Sequence, residues 1–535
     1  MRYLVLFILF LTPFHSVHAA KPSKLQRNVI FMVMDGTNSD ALTLTRWYKG
    51  TELALDRILV GGVKTYSLQS GITDSAAAGT AMATGLKATA NMIGFVPEVK
   101  DGKVYSARPA ITILEAAKMH GLSTGIVSTS PVQHATPASF TAHTLNRDGY
   151  DDIAEQQVYQ GMNVVLGGGK VSLIVNDKGQ QKQGPTGVGS NMPTYRKDGE
   201  NLLQNIKKSG YSFVETKSEL KKVKHLQVWG SFADIDIAFE FDRMKLAPNQ
   251  PSLAEMTKKA IHLLSKNEKG FFLFVEGSKI DWAAHKNDPV GMISEILSFD
   301  AAVQEAVQFA ESNSNTLLIA VTDHGNSGLT MGNHNTNKSY STTPVHDFID
   351  PLKKAKLTAA GAVSLLKKDR SNLKEIAKYY GLEPLKESEL IRLKTADNVE
   401  LELAKQMANR ANLGFTTQGH SGEDVFLYAY GPGKPSGLIN NTDFPTYISK
   451  FLRIPSLKDI NQSYFIKAKD YYAKKGYKVK IDFRNSYNPL FIAEKKGTKI
   501  IYPVNKNYRI ENGKKVVLKG VNIFANREFW ISSDK

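Results

Sequence analysis

Acidic and histidine side chains follow apolar segments at three places in this chain of 535 residues. Asp35, Glu276 and the neighbouring pair Asp323 and His324 each stand at or just after the end of such a segment. Carboxylates and imidazoles bind divalent cations; a mixture of oxygen and nitrogen ligands suits zinc, whereas oxygen ligands alone suit magnesium. Because the chain contains no cysteine, a metal ion would depend on acids, histidines and hydroxyl groups. The pattern predicts a metal site where these segments end.

Three further residues have a spacing or a setting that suits metal binding. Asp281 and His285 are four positions apart, so they share one face of the segment if it is helical. His420 follows a glycine later in the chain. A single histidine is more often structural than a ligand. Four carboxylates and three imidazoles at strand ends or at ligand spacing are better explained by a shared metal centre.

The segment 73–81 (TDSAAAGTA) places Ser75 between an acid and a run of very small residues. Alanine favours helix, so the serine hydroxyl would lie at a helix N-terminus, where free N–H groups and the helix dipole favour an anion. The alternative is an ordinary helix-capping residue. Beside two metal ions a serine suits phosphoryl transfer, since one ion lowers the pKa of the hydroxyl and the other stabilises the leaving oxygen. Arg147 would then bind two phosphate oxygens as a fork.

The segments that carry these residues alternate between strand and helix patterns. Residues 28–34, 271–276 and 316–322 have the composition of buried parallel strands. Residues 111–118 are typical of a helix and precede the strand-like segment 125–130. This alternation predicts an α/β fold with a mostly parallel, doubly wound central sheet. Ligands of such sheets bind at the carboxyl ends of the strands, which is where the acids fall.

Two other regions differ in composition from the strand-bearing part. Residues 350–412 are rich in lysine, leucine, alanine and glutamate with helical periodicity, which predicts a helical insert that could cover the site. Residues 454–535 combine tyrosines and lysines with short β-like runs, which predicts a small β-rich C-terminal module. This basic module either contacts an anionic surface or is a packing extension, and the sequence leaves both open.

The N-terminus and the net charge bear on location and partners. Residues 1–20 combine a positive charge, a short apolar run and small residues, which predicts a secretory signal peptide cleaved after Ala19 or Ala20. We therefore expect an exported protein, periplasmic or secreted, with an uncleaved anchor as the alternative. The net charge of +17 favours anionic substrates or surfaces, but the basic residues form no specific nucleic-acid-binding motif.

Five motifs occur in a recognisable order. They are Val33-Met34-Asp35-Gly36, Thr73-Asp74-Ser75-Ala76-Ala77, Glu276-Gly277 with Ile280-Asp281 and His285, Thr322-Asp323-His324, and Gly419-His420. Their order and approximate spacing resemble the alkaline phosphatase family over roughly residues 25–453. The resemblance implies an α/β/α sandwich in residues 21–453 that hydrolyses small phosphomonoesters at alkaline pH through a phosphoserine intermediate. It also implies a homodimer, since members of the family are often dimeric.

The resemblance further implies a role for each site residue. Ser75 matches the nucleophile, and Arg147 matches the phosphate-binding arginine. The implied metal ligands are Asp281, His285 and His420 for a first zinc ion, Asp35, Asp323 and His324 for a second zinc ion, and Asp35, Thr136 and Glu276 for a third ion, which in the family pattern is magnesium.

Two positions depart from the best-known bacterial pattern of this family. His134 stands two residues before Thr136, where that pattern has aspartate; an imidazole there would ligate the third ion and favour zinc or cobalt over magnesium. Trp282 directly follows Asp281, where that pattern has lysine. The change removes a water-mediated phosphate contact, which predicts weaker binding and faster release of phosphate. The alternative is that Trp282 only packs over the site.

Two other functions compete with phosphomonoester hydrolysis. A phosphodiesterase or nuclease of the same superfamily would suit the basic surface. A surface-binding protein with a vestigial enzyme domain would suit the C-terminal module. The second alternative is disfavoured because every expected metal ligand is present.

Overall fold

The computed structural model describes residues 26–175 and 196–533. The predicted signal peptide, residues 1–20, lies outside these residues. Within them, no helix combines the length and the apolar character needed to cross a membrane.

Strands occur throughout the described residues. In chain order they are β1 (Arg27–Met34), β2 (Leu59–Lys64), β3 (Phe95–Lys100), β4 (Lys103–Pro109), β5 (Ser123–Pro131), β6 (Val164–Gly168), β7 (Ser212–Val214), β8 (Val228–Ser231), β9 (Gly270–Gly277), β10 (Thr316–Val321), β11 (Gly325–Asn326), β12 (Leu329–Met331), β13 (Leu413–Phe415), β14 (His420–Ser421), β15 (Val425–Tyr430), β16 (Gly437–Asn440), β17 (Phe465–Lys467), β18 (Lys478–Asp482), β19 (Leu490–Lys495), β20 (Thr498–Pro503), β21 (Tyr508–Glu511), β22 (Lys514–Val517), β23 (Ile523–Ala525) and β24 (Glu528–Ser532). The strands predicted to precede the acids are confirmed as β1, β9 and β10.

Helices alternate with these strands over most of the chain. In chain order they are α1 (Ser39–Lys49), α2 (Ser75–Thr84), α3 (Ile113–Met119), α4 (Ala135–Thr141), α5 (Tyr150–Gln160), α6 (Leu202–Lys208), α7 (Lys217–Lys222), α8 (Glu240–Leu246), α9 (Leu253–Leu264), α10 (Lys279–His285), α11 (Pro289–Ser312), α12 (His346–Lys353), α13 (Ala359–Val363), α14 (Leu373–Tyr379), α15 (Glu387–Thr395), α16 (Val399–Arg410), α17 (Phe444–Leu452), α18 (Leu457–Asn461) and α19 (Ala468–Lys474). Short 3₁₀ helices span Leu55–Ile58, Lys170–Leu173 and His334–Thr336.

Ten strands form the central sheet, in the order β16-β2-β15-β10-β1-β9-β5-β6-β8-β7. Strand β15 runs antiparallel to both of its neighbours, and the other pairs are parallel. Val33 of β1 is in register with Val321 of β10 and with Glu276 of β9. The residues at the ends of these three strands therefore reach one edge of the sheet together, as the sequence predicts.

Helices cover both faces of this sheet. Alternate residues of a strand point to opposite faces. Ile30 and Met32 of β1 belong to a core formed with α1, α9 and α11, whereas Phe31 and Val33 belong to a core formed with α2, α3 and α17. These side chains are fully buried, and burial of each stabilises the fold by about 1.5–3 kcal/mol. The predicted α/β/α sandwich with a mostly parallel sheet is confirmed.

Helices α12 to α16 occupy the region predicted as a helical insert, residues 350–412. Leu352, Leu403 and Met407 from these helices are buried in the same core as α1 and α11. This part of the chain therefore completes one helical layer of the sandwich.

The predicted β-rich character of the C-terminal residues is confirmed. Strands β18 to β22 form a five-stranded antiparallel sheet, and β17, β24 and β23 form a three-stranded one. Tyr472, Phe491, Tyr502 and Phe529 belong to a hydrophobic core within this part of the chain. Helix α19 contributes Tyr472 to this small core, whereas Leu457 of α18 belongs to the core of the sandwich.

Candidate active site

Ser75 is the first residue of α2, at the N-terminus where the sequence places it. The carboxylate of Asp74 caps the helix by accepting the N–H of Ala77 at 3.0 Å, and the Ser75 side chain is almost fully buried. Small residues are required in α2 because it packs closely on α4. A Cβ on Gly79 would lie 2.8 Å from Oγ of Ser139 on that helix. The run of small residues thus brings the serine close to α4 and the residues beside it.

Asp35, Asp323 and His324 form one compact group at the ends of β1 and β10. Nε2 of His324 lies 3.5 Å from Oδ1 of Asp35 and 3.3 Å from Oδ2 of Asp323. The same nitrogen lies 3.1 Å from Oγ of Ser75. Potential ligand atoms of the three residues lie within 4.8 Å of one another, and all three side chains are buried. This group has the composition of a divalent-metal site, and it lies directly beside a serine hydroxyl.

Asp281, His285 and His420 form a second group next to the first. Nε2 of His285 lies 3.3 Å from Oδ2 of Asp281, and Nε2 of His420 lies 3.6 Å from Oδ1 of Asp281. The other ring nitrogens are fixed by backbone carbonyls, because Nδ1 of His285 donates to Gln418 at 2.6 Å and Nδ1 of His420 donates to Thr73 at 2.7 Å. Such outer contacts hold a histidine with its free nitrogen facing a metal ion.

The two groups are in direct contact. The rings of His324 and His420 are stacked with centroids 3.6 Å apart, and ligand atoms of Asp281, His324 and His420 also lie within 4.8 Å of one another. His285 stands outside that tighter set and touches it through Asp281. The six residues therefore form one continuous cluster.

A third group contains Asp35, His134 and Glu276, whose potential ligand atoms lie within 4.8 Å of one another. Oγ1 of Thr136 lies 3.4 Å from Oδ2 of Asp35, and Oγ of Ser128 donates to Oε2 of Glu276 at 2.7 Å. Asp35 thus belongs to two groups. The His134 imidazole lies among the candidate ligands of this third group.

Unpartnered buried atoms show that these groups fit metal ions. Within the described residues, Oδ1 of Asp35, Oδ2 of Asp323, Oε1 of Glu276 and Nδ1 of His134 are buried without a hydrogen-bond partner. Burial and neighbouring carboxylates raise the pKa of Asp35 well above its usual value, and burial with the nearby Asp281 raises the pKa of Asp323 to about 6. Burial raises the pKa of Glu276 to about 7. Cations would satisfy these atoms and offset the repulsion among the acids.

Arg147 lies at the rim of this cluster. Its Nη1 donates to Oδ2 of Asp74 at 3.3 Å, and its Nη2 donates to Nε2 of His134 at 3.4 Å. Burial, together with the charge of Arg147, lowers the pKa of His134 to about 3, so the imidazole is neutral and able to ligate a metal ion. The Arg147 side chain is 17% exposed, so solvent reaches it.

Trp282 packs edge-on against His134, with ring centroids 5.8 Å apart. The nearby Lys279 does not replace the lysine that the family pattern has at position 282. Its ammonium group donates to Asp236 at 2.5 Å and to the carbonyl oxygen of Ile237 at 2.7 Å. Of these two cationic side chains, Arg147 is the one that hydrogen-bonds to a candidate metal ligand, His134.

Every residue singled out from the sequence belongs to this connected cluster. The contacts above link Asp35, Ser75, His134, Thr136, Arg147, Glu276, Asp281, Trp282, His285, Asp323, His324 and His420.

Several neighbours of these residues have no role that the sequence predicts. Asp74 holds Arg147, and Asn326 donates to Oδ1 of Asp281 at 2.6 Å. Gly36 has φ of +68°, and a Cβ there would lie 2.5 Å from Oδ1 of Asp281. Glycine is therefore needed at this position, next to Asp35 and against Asp281. Asp74 and Gly36 lie inside the recognised motifs, whereas only the three-dimensional arrangement shows the part of Asn326.

Fold and site together define a class of protein, the metal-dependent hydrolases. A family model described as "Alkaline phosphatase" matches residues 26–454. The chain belongs to the alkaline phosphatase family, and it is an enzyme that hydrolyses phosphate monoesters. The phosphodiesterase alternative is not favoured.

Relatives and solved structures agree with this assignment. "Alkaline phosphatase 4" of Bacillus subtilis (strain 168) is 37% identical over 460 residues, which cover 81% of this chain and 91% of that protein. The crystal structure of Thermus thermophilus alkaline phosphatase has a TM-score of 0.69 at 27% identity and covers 83% of this chain and 96% of its own. The cold-active alkaline phosphatase of Shewanella sp. has a TM-score of 0.67 at 29% identity, with coverages of 79% and 99%.

Proposed function

We propose that the reaction proceeds through phosphorylation of Ser75. The serine oxygen forms a bond to phosphorus as the bond to the alcohol oxygen breaks, and the alcohol leaves. Water then attacks the phosphoserine, releases inorganic phosphate and restores the hydroxyl. The observation that supports this path best is the position of Oγ of Ser75, 3.1 Å from Nε2 of His324 in the acid and histidine cluster.

The metal ligands are proposed as the resemblance implies. The sets are Asp281, His285 and His420 for one zinc ion, Asp35, Asp323 and His324 for a second, and Asp35, Thr136, Glu276 and His134 for a third ion. When bound, such ions supply Lewis-acid activation of the serine and of water, and they stabilise the leaving oxygen. Since the attacking groups work deprotonated, activity is expected to rise at alkaline pH.

The protein itself orients the substrate. The N–H groups at the start of α2 and the Arg147 guanidinium would both bind a phosphate group placed beside Ser75. Asp74 caps α2 and also holds Arg147. One side chain therefore links the two groups that would bind phosphate.

Acid quenching tests the covalent path. Enzyme mixed with a radiolabelled phosphomonoester and quenched within one turnover should carry label on the peptide that contains Ser75. Product release without labelled protein at any time of quenching, or label on another residue, would contradict the proposal.

We propose that His134 makes the third site a zinc or cobalt site. Its neutral imidazole lies with Asp35 and Glu276, and nitrogen ligands favour these ions over magnesium. His134→Asp should therefore bind magnesium at this site, with about a tenfold increase in the ratio of magnesium to zinc at that site after dialysis against both. Elemental analysis measures the ratio. His225→Asp, an exposed histidine elsewhere, should leave it unchanged, and an unchanged ratio in His134→Asp would count against the proposal.

Trp282 is expected to weaken phosphate binding relative to a lysine at the same position. Trp282→Lys places an ammonium group beside His134 and Arg147, and a charge-assisted contact should lower the inhibition constant for inorganic phosphate by about five- to tenfold. Product inhibition assays measure this. Trp282→Leu removes the ring without adding charge and separates packing from charge. Unchanged inhibition in Trp282→Lys would contradict the expectation.

We propose that the protein is exported and that residues 21–453 form the catalytic domain. Support for export comes from the signal-like composition of residues 1–20. N-terminal sequencing of the mature protein would show whether it begins after Ala19 or Ala20. A homodimer is proposed from the family resemblance alone, and sedimentation analysis would test it.

An anionic surface is the proposed partner of the C-terminal module. Residues 454–535 contain 18 lysines and arginines against 7 acids, so they carry a net charge of +11 out of +17. Lys480, Lys495 and Lys496 are exposed on or beside its sheet. Salt-sensitive binding to phosphatidylglycerol vesicles, without binding to phosphatidylcholine vesicles, would support the proposal. No binding to either would favour a packing extension.

A further inference from the structure

The C-terminal module packs against the segment that carries Arg147. This segment, residues 143–149, connects α4 to α5. Leu145 lies in one hydrophobic cluster with Ile523 and Trp530 of the module. These module residues lie beyond the part of the chain that matches the family. The module therefore contacts the active-site arginine segment through residues that the family pattern does not supply.

Asn505, between β20 and β21, makes polar contacts with α5. It is almost fully buried, and its Nδ2 donates to Asp152 at 2.8 Å and to Glu155 at 3.0 Å. Its Oδ1 accepts from Nε2 of Gln156 at 3.0 Å. All three partners lie on α5, which begins three residues after Arg147. One side chain of the module thus holds the first half of α5.

Gln156 extends this contact to the start of the segment 143–149. Its Nε2 donates to the carbonyl oxygen of His143 at 2.9 Å, and its Oε1 accepts the N–H of His143 at 2.7 Å. The His143 ring also packs edge-on against Phe465 of the module, with centroids 4.9 Å apart. The segment is therefore held at its start through Gln156 and at its end by α5.

Lys506 adds an ion pair at the same place. Its ammonium group pairs with the buried Glu155 of α5 and lies 2.8 Å from Glu200. The Lys506 side chain is 9% exposed and that of Glu155 is 1% exposed, so the ion pair between them is buried between the module and α5. Removing one partner of such a buried pair is strongly destabilising, so the pair joins the module to α5.

We propose that the C-terminal module sets the position of Arg147 through Asn505 and Gln156, and thereby sets the affinity of the enzyme for phosphate. Asn505 and Gln156 are positioning residues, since they act through the segment 143–149. The inference rests on the proposed role of Arg147 in binding phosphate.

Asn505→Gly in the full-length metal-loaded enzyme tests this directly. Glycine removes the amide and keeps the backbone, because Asn505 has φ of +61°. The inhibition constant for inorganic phosphate and KM should both rise about five- to tenfold, while kcat changes less than about twofold, since a displaced arginine weakens phosphate binding. Gln156→Ala should act in the same direction. An unchanged inhibition constant in both variants would overturn the proposal.

Asn512→Gly is the matched control. Asn512 is in the same module, has φ of +49° and accepts a hydrogen bond from the N–H of Lys499 at 2.8 Å, within the five-stranded sheet. Its loss should leave phosphate inhibition unchanged. A rise equal to that in Asn505→Gly would show that general loosening of the module is responsible, and would overturn the proposal.

A double-mutant cycle with Arg147→Ala separates the role of Arg147 in phosphate binding from the effect of the module on Arg147. If Arg147→Ala leaves phosphate inhibition unchanged, the proposed role of Arg147 is wrong. If Arg147→Ala weakens inhibition and Asn505→Gly adds no further effect in that background, the module acts through Arg147 as proposed. An equal effect of Asn505→Gly with and without Arg147 would overturn the positioning inference and leave the role of Arg147 intact.

Discussion

Ser75→Ala is expected to lower kcat/KM for a phosphomonoester by about 10³-fold or more, which corresponds to ~4 kcal/mol of transition-state stabilisation. The hydroxyl lies 3.1 Å from Nε2 of His324, and alanine offers no oxygen to attack phosphorus. The acids and histidines stay in place, so slow direct attack by water sets the remaining rate. Steady-state kinetics measure the loss, and elemental analysis checks that the metal content is unchanged.

Ser139→Ala is a suitable control for this substitution. Ser139 is a buried serine on α4 that faces α2 and donates to the carbonyl oxygen of Ala135 at 2.8 Å. Its removal should change kcat/KM by less than about threefold, because a neutral hydrogen bond contributes about 0.5–1.5 kcal/mol to stability and none directly to the reaction. Full activity in Ser75→Ala would overturn the proposed nucleophile.

The acids at the strand ends were predictable because two simple patterns coincide there. A buried parallel strand is recognisable as an apolar run, and parallel strands in register deliver their last residues to one edge. Asp35, Glu276 and Asp323 follow that rule. Asp281 and His285 follow the helical one, since α10 places positions four apart on one face. In both cases local sequence and local geometry determine the outcome.

Contacts between distant parts of the chain were not predictable in this way. The bond of Asn326 to Asp281 joins the segment after β10 to α10. The contact of Asn505 with Gln156 joins residues 349 positions apart. Neither asparagine differs in its local sequence from an ordinary turn residue, because its role depends on how separate layers pack. The neighbours that orient site residues therefore emerge only from the tertiary structure.

Asp35→Asn is expected to have an effect as large as the loss of the serine. Asp35 is the acid shared by two groups, one with Asp323 and His324 and one with His134 and Glu276. A neutral amide is a weaker metal ligand than a carboxylate, so both sites should lose affinity together. We expect kcat/KM to fall by about 10³-fold or more, and elemental analysis should show the loss of more than one ion per chain.

Two further substitutions serve as comparisons for the metal content of Asp35→Asn. Glu276→Gln should remove only the third ion, because Glu276 belongs to one group. Asp300→Asn alters a buried acid that lies 2.8 Å from Nζ of Lys49, away from the cluster, and should leave the metal content unchanged. Loss of the same single ion in Asp35→Asn and Glu276→Gln would contradict a shared acid.

The metal-free protein should respond to Asp35→Asn with the opposite sign. Without cations, Asp35 is buried beside other carboxylates that repel its charge. Burial and this repulsion both raise the pKa of Asp35. Above the unfolded pKa of Asp35, folding must either keep this carboxylate charged or protonate it, and both cost stability. Asparagine avoids that cost, so Asp35→Asn should raise Tm after chelation at neutral pH. With zinc present the order should reverse, because the wild-type protein gains more from binding ions in its folded state. A lower Tm for the variant in both conditions would mean that Asp35 stabilises the fold without metal ions. That result would contradict the expected repulsion among the acids.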